Sequence, residues 1–251
     1  MDIFLILVLG LSIGSFMNVC IYRIAREESI IFPASHCTSC GYQLRYRDLV
    51  PIISYITLRG KCRNCNERIS IRYLLVEIIN GLLYILMYFK FGFTLELIKF
   101  CLFTSLIVVI AFIDIETKYV YKCTINFGLV FGILFCILKF IRGNSIPRDN
   151  ILGAFIGFGI IYTIVILTKG MGDGDSDIAL ICGLFLGAKG IVLSLFIAIV
   201  LAGISSIIFL IFKIKNIKSQ IAFGPYLAIG SIISCLYCTD LISIYFNLFL
   251  N

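Results

Sequence analysis

The chain has 251 residues, of which 61% are hydrophobic and 14% are charged, and its mean hydropathy is +1.07. These values exclude a water-soluble globular domain and a disordered chain, because neither carries so large an apolar fraction. A membrane-crossing helix needs about 20 apolar residues, so the chain can supply at most about ten. The composition predicts an all-α, polytopic membrane bundle with one polar insert.

The first apolar run, 1–24, has the position of an export signal but the opposite order of charges. Asp2 precedes the run, and Arg23 and Arg26 follow it. A signal peptide has its positive charges before the apolar core. We therefore expect an uncleaved first membrane span, whose far end is held in the cytoplasm.

Seven further apolar runs bring the expected number of transmembrane helices to about eight. They cover residues 72–89, 95–113, 123–141, 150–168, 178–188, 190–212 and 222–248. The run 178–188 is short, so it must tilt or continue from the polar residues before it. Most of the 21 lysines and arginines lie in or beside the loops after spans 1, 3, 5 and 7, which the positive-inside rule places in the cytoplasm. Both termini are then expected outside, and the net charge of +7 reflects membrane topology rather than nucleic-acid binding.

The polar insert carries two C-x2-C pairs separated by 21 residues. The four cysteines are Cys37, Cys40, Cys62 and Cys65. This spacing is typical of zinc ribbons, in which four thiolates form a tetrahedral shell. Gly41 and Asn66 follow the second cysteine of each pair, and both residue types accept the left-handed backbone that a zinc knuckle needs. Two disulfides or four inert thiols are the alternatives, although a reducing cytoplasm disfavours disulfides.

Acidic residues in or beside the apolar runs are the other candidates for chemistry, because a carboxylate in a membrane costs several kcal/mol unless it serves a cavity or a partner. Asp114 ends the third span, and Glu77 lies in the second. Asp173, Asp175 and Asp177 follow the fifth span in a glycine-rich run. Two carboxylates from separate helices can form an aspartic dyad, in which one activates water and the other protonates the leaving amine. The alternatives are caps of the helices that follow, or a cation site in the run G-D-G-D.

Five segments resemble, in the same order, the sequence blocks of a known family. They are GSFMNVCIYRI at 14–24, SIIFPASHCTSCGYQL at 29–44, VPIISYITLRGKCRNC at 50–65, ISIRYLLVEIINGLL at 69–83 and AFGPYLAIG at 222–230. Together with the glycine-aspartate run at 172–175, they make nearly the whole chain similar to bifunctional type IV prepilin peptidases, which are GxGD-type membrane aspartic proteases.

The resemblance implies that Asp114 and Asp175 are the catalytic pair. Gly172 and Gly174 support the motif around the second aspartate. It further implies cleavage of the basic leader peptides of prepilins and pseudopilins at the cytoplasmic face of the inner membrane.

The resemblance also implies that the enzyme methylates the new N-terminus with S-adenosylmethionine as the methyl donor. The cysteine-bearing loop is associated with this second activity, and Glu77 and Asn18 are candidates for methyl transfer. No Rossmann-type glycine fingerprint is present to hold the donor.

On this interpretation the chain divides into a first transmembrane helix at 1–24, a cytoplasmic zinc-binding four-cysteine loop at 25–71 and a peptidase bundle at 72–251. Two features depart from the family pattern. Val120 and Tyr121 stand where the family usually has Ile-Pro. Asp177 replaces a lysine, which reverses a charge next to the proposed dyad.

Two other functions use the same residues: a membrane metal or cation transporter, and a membrane thiol oxidoreductase. A transporter would be expected to carry its acids near the middle of the bilayer and to contain an inverted repeat, whereas these acids lie at span ends and the sequence contains no repeat. An oxidoreductase would need its dithiols on the oxidising side of the membrane, opposite to the side that the charges predict.

Overall fold

The computed structural model describes residues 1–143, 147–168, 172–212 and 222–249. Among these residues there is no β-strand, only two isolated bridges in the polar insert. The helices are α1 (Asp2–Ile24), α2 (Ile53–Thr57), α3 (Ile71–Phe91), α4 (Leu95–Thr117), α5 (Lys122–Ile141), α6 (Arg148–Thr168), α7 (Asp173–Ile211) and α8 (Gly224–Phe249). All of them except α2 are long and apolar enough to cross a membrane. The prediction of an all-α, multi-pass membrane protein is confirmed.

The chain forms two compact units, Met1–Val109 and Ile110–Asn251. In the N-terminal unit, α1 packs on α3 through glycines that lie four residues apart on one face. A Cβ at Gly10 would lie 2.9 Å from the Cα of Gly81, and a Cβ at Gly14 would lie 2.8 Å from the Cα of Glu77. The two helices are antiparallel, because the later residue of α1 (Gly14) faces the earlier residue of α3 (Glu77). Small residues at this spacing let membrane helices approach closely.

In the C-terminal unit, α7 packs against α5, α6 and α8. Its backbone leaves the helical region at Gly187, where φ is 79° and ψ is 176°. A Cβ at Gly157 of α6 would touch both the backbone of Ala179 and the side chain of Ile191. In a straight helix, Ala179 and Ile191 would be about 18 Å apart along the axis, too far for one Cβ to touch both. The chain therefore reverses at Gly187, and α7 is a hairpin of two arms.

The two arms of α7 correspond to the predicted spans 178–188 and 190–212. The described residues contain seven helices of membrane-spanning length, against about eight predicted spans, because α7 holds two of those spans joined at the non-helical Gly187. The first arm begins at Asp173, so it continues from the polar run, as its short apolar length required.

Two side chains at the start of α6 complete the hairpin. Asn150 donates from Nδ2 to the carbonyl oxygen of Leu184 (2.9 Å), and Asp149 Oδ1 accepts from the N–H of Ala188 (3.3 Å). In a continuous helix this N–H and this carbonyl would bond to each other, since they are four residues apart. The side chains thus replace both halves of the broken hydrogen bond.

Replacing Gly187 with alanine should destabilise the C-terminal unit. The backbone conformation at Gly187 is one that essentially only glycine adopts, and a Cβ there would overlap Oδ2 of Asp149. We expect the free energy of unfolding in detergent to fall by about 2 kcal/mol or more. Thermal unfolding followed by circular dichroism measures it.

Gly203→Ala is the matched control, because Gly203 lies in the same helix and a Cβ there meets nothing within 4 Å. This variant should unfold at the wild-type temperature or slightly above it. Equal stability of the two variants would contradict the hairpin.

Candidate functional site

In the C-terminal unit, the end of α4 and the starts of α5, α7 and α8 surround a cavity of about 370 Å³. Asp114 lies in the last turn of α4, and Asp175 lies in the first turn of α7. Both line the cavity, and they are close enough for the charge of Asp114 to act on Asp175. The structure therefore brings together the two aspartates that the sequence singled out, although they are far apart in the chain.

Asp114 is held by the helix that begins at Gly224. Its carboxylate is 4% exposed, and Oδ2 accepts from the N–H of Gly224 at 2.8 Å. The alternative that Asp114 caps the next helix along the chain is wrong, because α5 has Tyr121 at its N-cap and no side-chain cap. Asp114 instead caps α8, where the partial positive charge of the helix N-terminus favours a carboxylate.

Asp175 caps its own helix. Its Oδ2 accepts from the N–H of Gly172 at 3.2 Å, while its own N–H donates to the Gly172 carbonyl at 3.1 Å. Asp175 is 7% exposed, whereas Asp173 and Asp177 are exposed. Burial thus distinguishes Asp175 from its two acidic neighbours. Asp175 both caps α7 and lines the cavity, so the capping role does not exclude a chemical one.

Gly174 allows the segment after α4 to lie against α7. A Cβ at this position would come within 2.6 Å of the Cβ of Val120. Val120 is one of the two family departures, and it fills the space that this glycine leaves. The other departure, Asp177, lies near two charges, those of Asp173 and of Lys122 at the start of α5. Both departures therefore lie on the cavity wall.

The four cysteines of the polar insert form a cluster in which all sulfur atoms lie within 4.8 Å of one another. Two of the Sγ–Sγ distances are 3.8 Å (Cys37 to Cys65) and 4.0 Å (Cys40 to Cys62). Four sulfurs at about 2.3 Å from a tetrahedral zinc ion would be about 3.8 Å apart, so the cluster fits this metal. Gly41 and Asn66 have φ of 69° and 58°, which confirms the left-handed conformation predicted after each pair.

Hydrogen bonds within the knuckles favour the thiolate form of Cys40 and Cys62. The backbone of Tyr42 and the side-chain amide of Asn64 hydrogen-bond to Cys40 and lower the pKa of its thiol to about 6. The backbone N–H of Asn64 also donates to the Sγ of Cys62 at 3.4 Å. The thiolate is the form that binds metal, so these contacts favour metal binding by Cys40 and Cys62, whereas burial and hydrogen bonds with the other thiols raise the pKa of Cys65 to about 12.

Two charged residues that the sequence analysis did not single out fix the insert. Arg63 donates from Nε and Nη2 to Oδ1 of Asp48, at 2.8 and 2.7 Å, and the backbone N–H of Arg45 donates to Oδ2 of Asp48 at 3.1 Å. Burial raises the pKa of Asp48, but these hydrogen bonds outweigh it and hold the pKa below its usual value. Neighbouring arginines are plentiful in this segment, so no local pattern indicated which of them pairs with Asp48.

The two methyl-transfer candidates have different surroundings. Glu77 is 7% exposed, and its Oε2 accepts from the backbone N–H of Ile52 at 2.8 Å, which ties α3 to the polar insert. Asn18 is also buried, and its Nδ2 donates to the carbonyls of Tyr73 (2.9 Å) and Gly14 (3.3 Å). Asn18 therefore joins α1 to α3 through backbone atoms.

Two family models match the chain. Residues 8–91 match the Bacterial Peptidase A24 N-terminal domain, and residues 101–207 match the Type IV leader peptidase family. The first match contains all four clustered cysteines and Glu77, and the second contains Asp114 and Asp175. No solved structure was found to match the chain.

Similar proteins carry the name prepilin leader peptidase/N-methyltransferase. The one from Pseudomonas putida is 30% identical over 92% of this chain and 88% of its own length. The one from Bacillus subtilis (strain 168) is 29% identical over 98% of this chain and 99% of its own length. The one from Myxococcus xanthus (strain DK1622) is 36% identical over 71% of this chain, a match that spans only 54% of that relative.

Proposed function

Because the chain belongs to the type IV leader peptidase family, we propose that it cleaves the leader peptide from prepilins and pseudopilins and methylates the new N-terminus. The observation that carries the proposal is the pair of buried carboxylates, Asp114 and Asp175, on one cavity. The relatives' shared name supports both activities.

In the proposed cleavage, the two carboxyl groups share one proton, because two close like charges do not ionise together readily. The ionised carboxylate takes a proton from water, whose oxygen bonds to the scissile carbonyl carbon. The protonated carboxyl then donates to the leaving nitrogen as the C–N bond breaks. The N–H groups of Gly224 and Gly172 each hold one carboxylate oxygen, which supports a fixed orientation of the pair.

We propose that the active face is cytoplasmic, in the inner membrane, with the four-cysteine loop on the same side and both termini outside. The distribution of lysines and arginines supports this topology. The substrate's apolar helix would lie in the lipid membrane beside the bundle, while its basic leader reaches the cavity. Exposed Asp173 and Asp177 on the cavity wall support the attraction of a basic leader.

For the second activity, we propose that the polar insert binds one structural zinc ion through its four cysteines. S-adenosylmethionine supplies the methyl group when it is bound. The match of residues 8–91 to the N-terminal family domain supports a role of this segment separate from the aspartates. In this proposal the segments 1–24, 25–71 and 72–251 serve as first span, methyl-transfer loop and peptidase bundle.

Substituting either proposed catalytic aspartate should abolish cleavage. Asp114→Asn and Asp175→Asn keep the side-chain size and remove the general base, so the cleavage rate should fall by at least about 100-fold. The double variant should be little worse than either single variant, since the two groups act as a unit. Purified protein with a prepilin in detergent, followed by gel electrophoresis, measures the rate.

Asp173→Asn, Asp177→Asn and Glu116→Gln are the matched controls, because all three side chains are exposed. These variants should keep substantial activity, because each of the two aspartate variants removes only part of the negative charge proposed to attract the leader and none removes the dyad. Full cleavage by Asp175→Asn, with one of the neighbouring aspartate variants inactive, would show that a different acid is catalytic. Full cleavage by Asp114→Asn would contradict the proposal of an aspartic dyad.

Elemental analysis of protein purified without chelator should find about one zinc per chain. Cys40→Ser should lose the metal and loosen the insert, because a structural zinc site contributes folding free energy directly. Cys123→Ser is the control, since this exposed cysteine lies outside the cluster. Metal-free protein with four titratable thiols in the insert would refute the zinc site.

Methylation should be separable from cleavage. Cys40→Ser should reduce methylation more than cleavage, because the cluster and the aspartates lie in different units of the chain. Mass spectrometry of the processed pilin resolves the added methyl group. A variant that cleaves poorly, but methylates whatever it cleaves, would contradict this division.

A further inference from the structure

The N-terminal unit contains a second cavity, of about 200 Å³, formed by α1, α3 and the polar insert. Apolar and aromatic side chains make up half of the residues on its wall, among them Val19, Tyr22, Leu44, Tyr55, Leu58 and Tyr73. Pockets that enclose a drug-sized ligand measure about 300–1,000 Å³. This cavity is smaller, so it suits one end of a larger ligand, such as the terminus of a polypeptide.

Two acids, Asp48 and Glu77, lie on this wall, and they differ in their partners. Asp48 and Arg63, which also line the cavity, bond to each other. Arg23 donates to three backbone carbonyls, those of Ser29, Ile30 and Pro33. Among the described residues, Glu77 hydrogen-bonds with two neutral groups, the N–H of Ile52 and the hydroxyl of Ser15, so its negative charge is available to a cation that enters. A buried carboxylate without a cationic partner is costly, and such a group marks a binding site.

The residue that holds the Glu77 carboxylate has an unusual backbone conformation. Ile52, whose N–H contacts Oε2, has φ of 62° and ψ of −53°. A β-branched residue rarely adopts positive φ, and strain of this kind persists where surrounding structure enforces it, often at functional sites. On the other side, Gly14 allows α1 to approach the Cα of Glu77. The first contact holds the carboxylate, and the second holds the backbone of Glu77 close to α1.

We propose that this cavity is the methyl-transfer site, where Glu77 binds the amine of the newly cut chain and accepts its proton. The inference rests on the methyltransferase half of the proposed function. The apolar wall receives the side chain of the first residue, while the carboxylate pairs with the ammonium group. Aromatic faces on the wall add attraction for positive charge.

The proton transfer is needed because an ammonium nitrogen has no free electron pair. Once Glu77 has taken one proton, the neutral amine attacks the methyl carbon of the sulfonium donor, S-adenosylmethionine. The C–N bond forms as the C–S bond breaks, and the bonding pair stays on sulfur, which becomes a neutral thioether. The positive charge moves from sulfur to the methylated nitrogen, and the proton on Glu77 is released to solvent.

Asn18, the other candidate, is assigned a different role. It is absent from the cavity wall, and its amide donates to backbone carbonyls of α1 and α3. We assign it to helix packing and not to the reaction.

The test compares Glu77→Gln with wild type in detergent, using full-length protein, a prepilin and S-adenosylmethionine. The glutamine keeps an acceptor for the Ile52 N–H and removes the charge and the base. At about pH 7, cleavage should be unchanged, while the methylated fraction at early times should fall by about 100-fold. Raising the pH to about 9, above the ordinary α-amino pKa of about 8, should restore much of the loss in the variant, because the amine then deprotonates unaided.

Glu67→Gln is the matched control, since Glu67 is exposed in the same insert and does not line the cavity. Wild-type methylation by Glu77→Gln would overturn the proposal. Loss of methylation that persists at high pH would also overturn it, because a structural role predicts no rescue. If the wild-type enzyme itself neither cleaves nor methylates, the proposed function fails instead.

Discussion

A carboxylate inside an apolar bundle must find hydrogen-bond donors, and the starts of helices are where unused backbone donors occur. The described residues contain four buried carboxylates, and each accepts from an N–H at or just before the start of a helical segment. The pairs are Asp48 with Arg45, Glu77 with Ile52, Asp114 with Gly224, and Asp175 with Gly172. This requirement explains why each of these acids lies beside the start of a helical segment, its own helix for Asp175 and another helix for Asp114 and Glu77. It also leaves the second oxygen of each carboxylate to a further partner.

Glycine makes these arrangements possible, because the backbones must approach closely. A Cβ at Gly224 would lie 2.8 Å from Oδ2 of Asp114, and one at Gly174 would collide with Val120. The same principle closes the hairpin of α7, where Gly153 and Gly183 bring α6 and the first arm into backbone contact. Apolar side chains make the helices able to span a membrane, but the close approach of particular helix ends depends on glycines. Substitutions at these glycines therefore act on the site through packing, without removing a reactive group.

Features encoded by neighbouring residues could be predicted from the sequence, and features that depend on distant pairs could not. Hydropathy located the spans, and the C-x2-C spacing indicated the cysteine cluster, including the left-handed Gly41 and Asn66. The choice of Asp175 over its neighbours required a family resemblance, since burial is invisible in the run G-D-G-D. The contact of Asp114 with Gly224 joins residues 110 positions apart. No periodicity or spacing rule reports such a pairing, and the same holds for the contact between Glu77 and Ile52.

The cysteine cluster and the Glu77 cavity share Cys62, so the proposed zinc would have a physical connection to the proposed methyl transfer. Cys62 and Arg63 both line the cavity, and Arg63 pairs with Asp48 on the same wall. A metal that fixes Cys62 would therefore also fix the position of Arg63. Without the metal, the segment that carries Ile52 would lose part of its support. The strained backbone of Ile52 would then relax, and its hydrogen bond to Glu77 would weaken. The metal ion would thus act on the reaction by positioning the wall, without touching the amine or the methyl group.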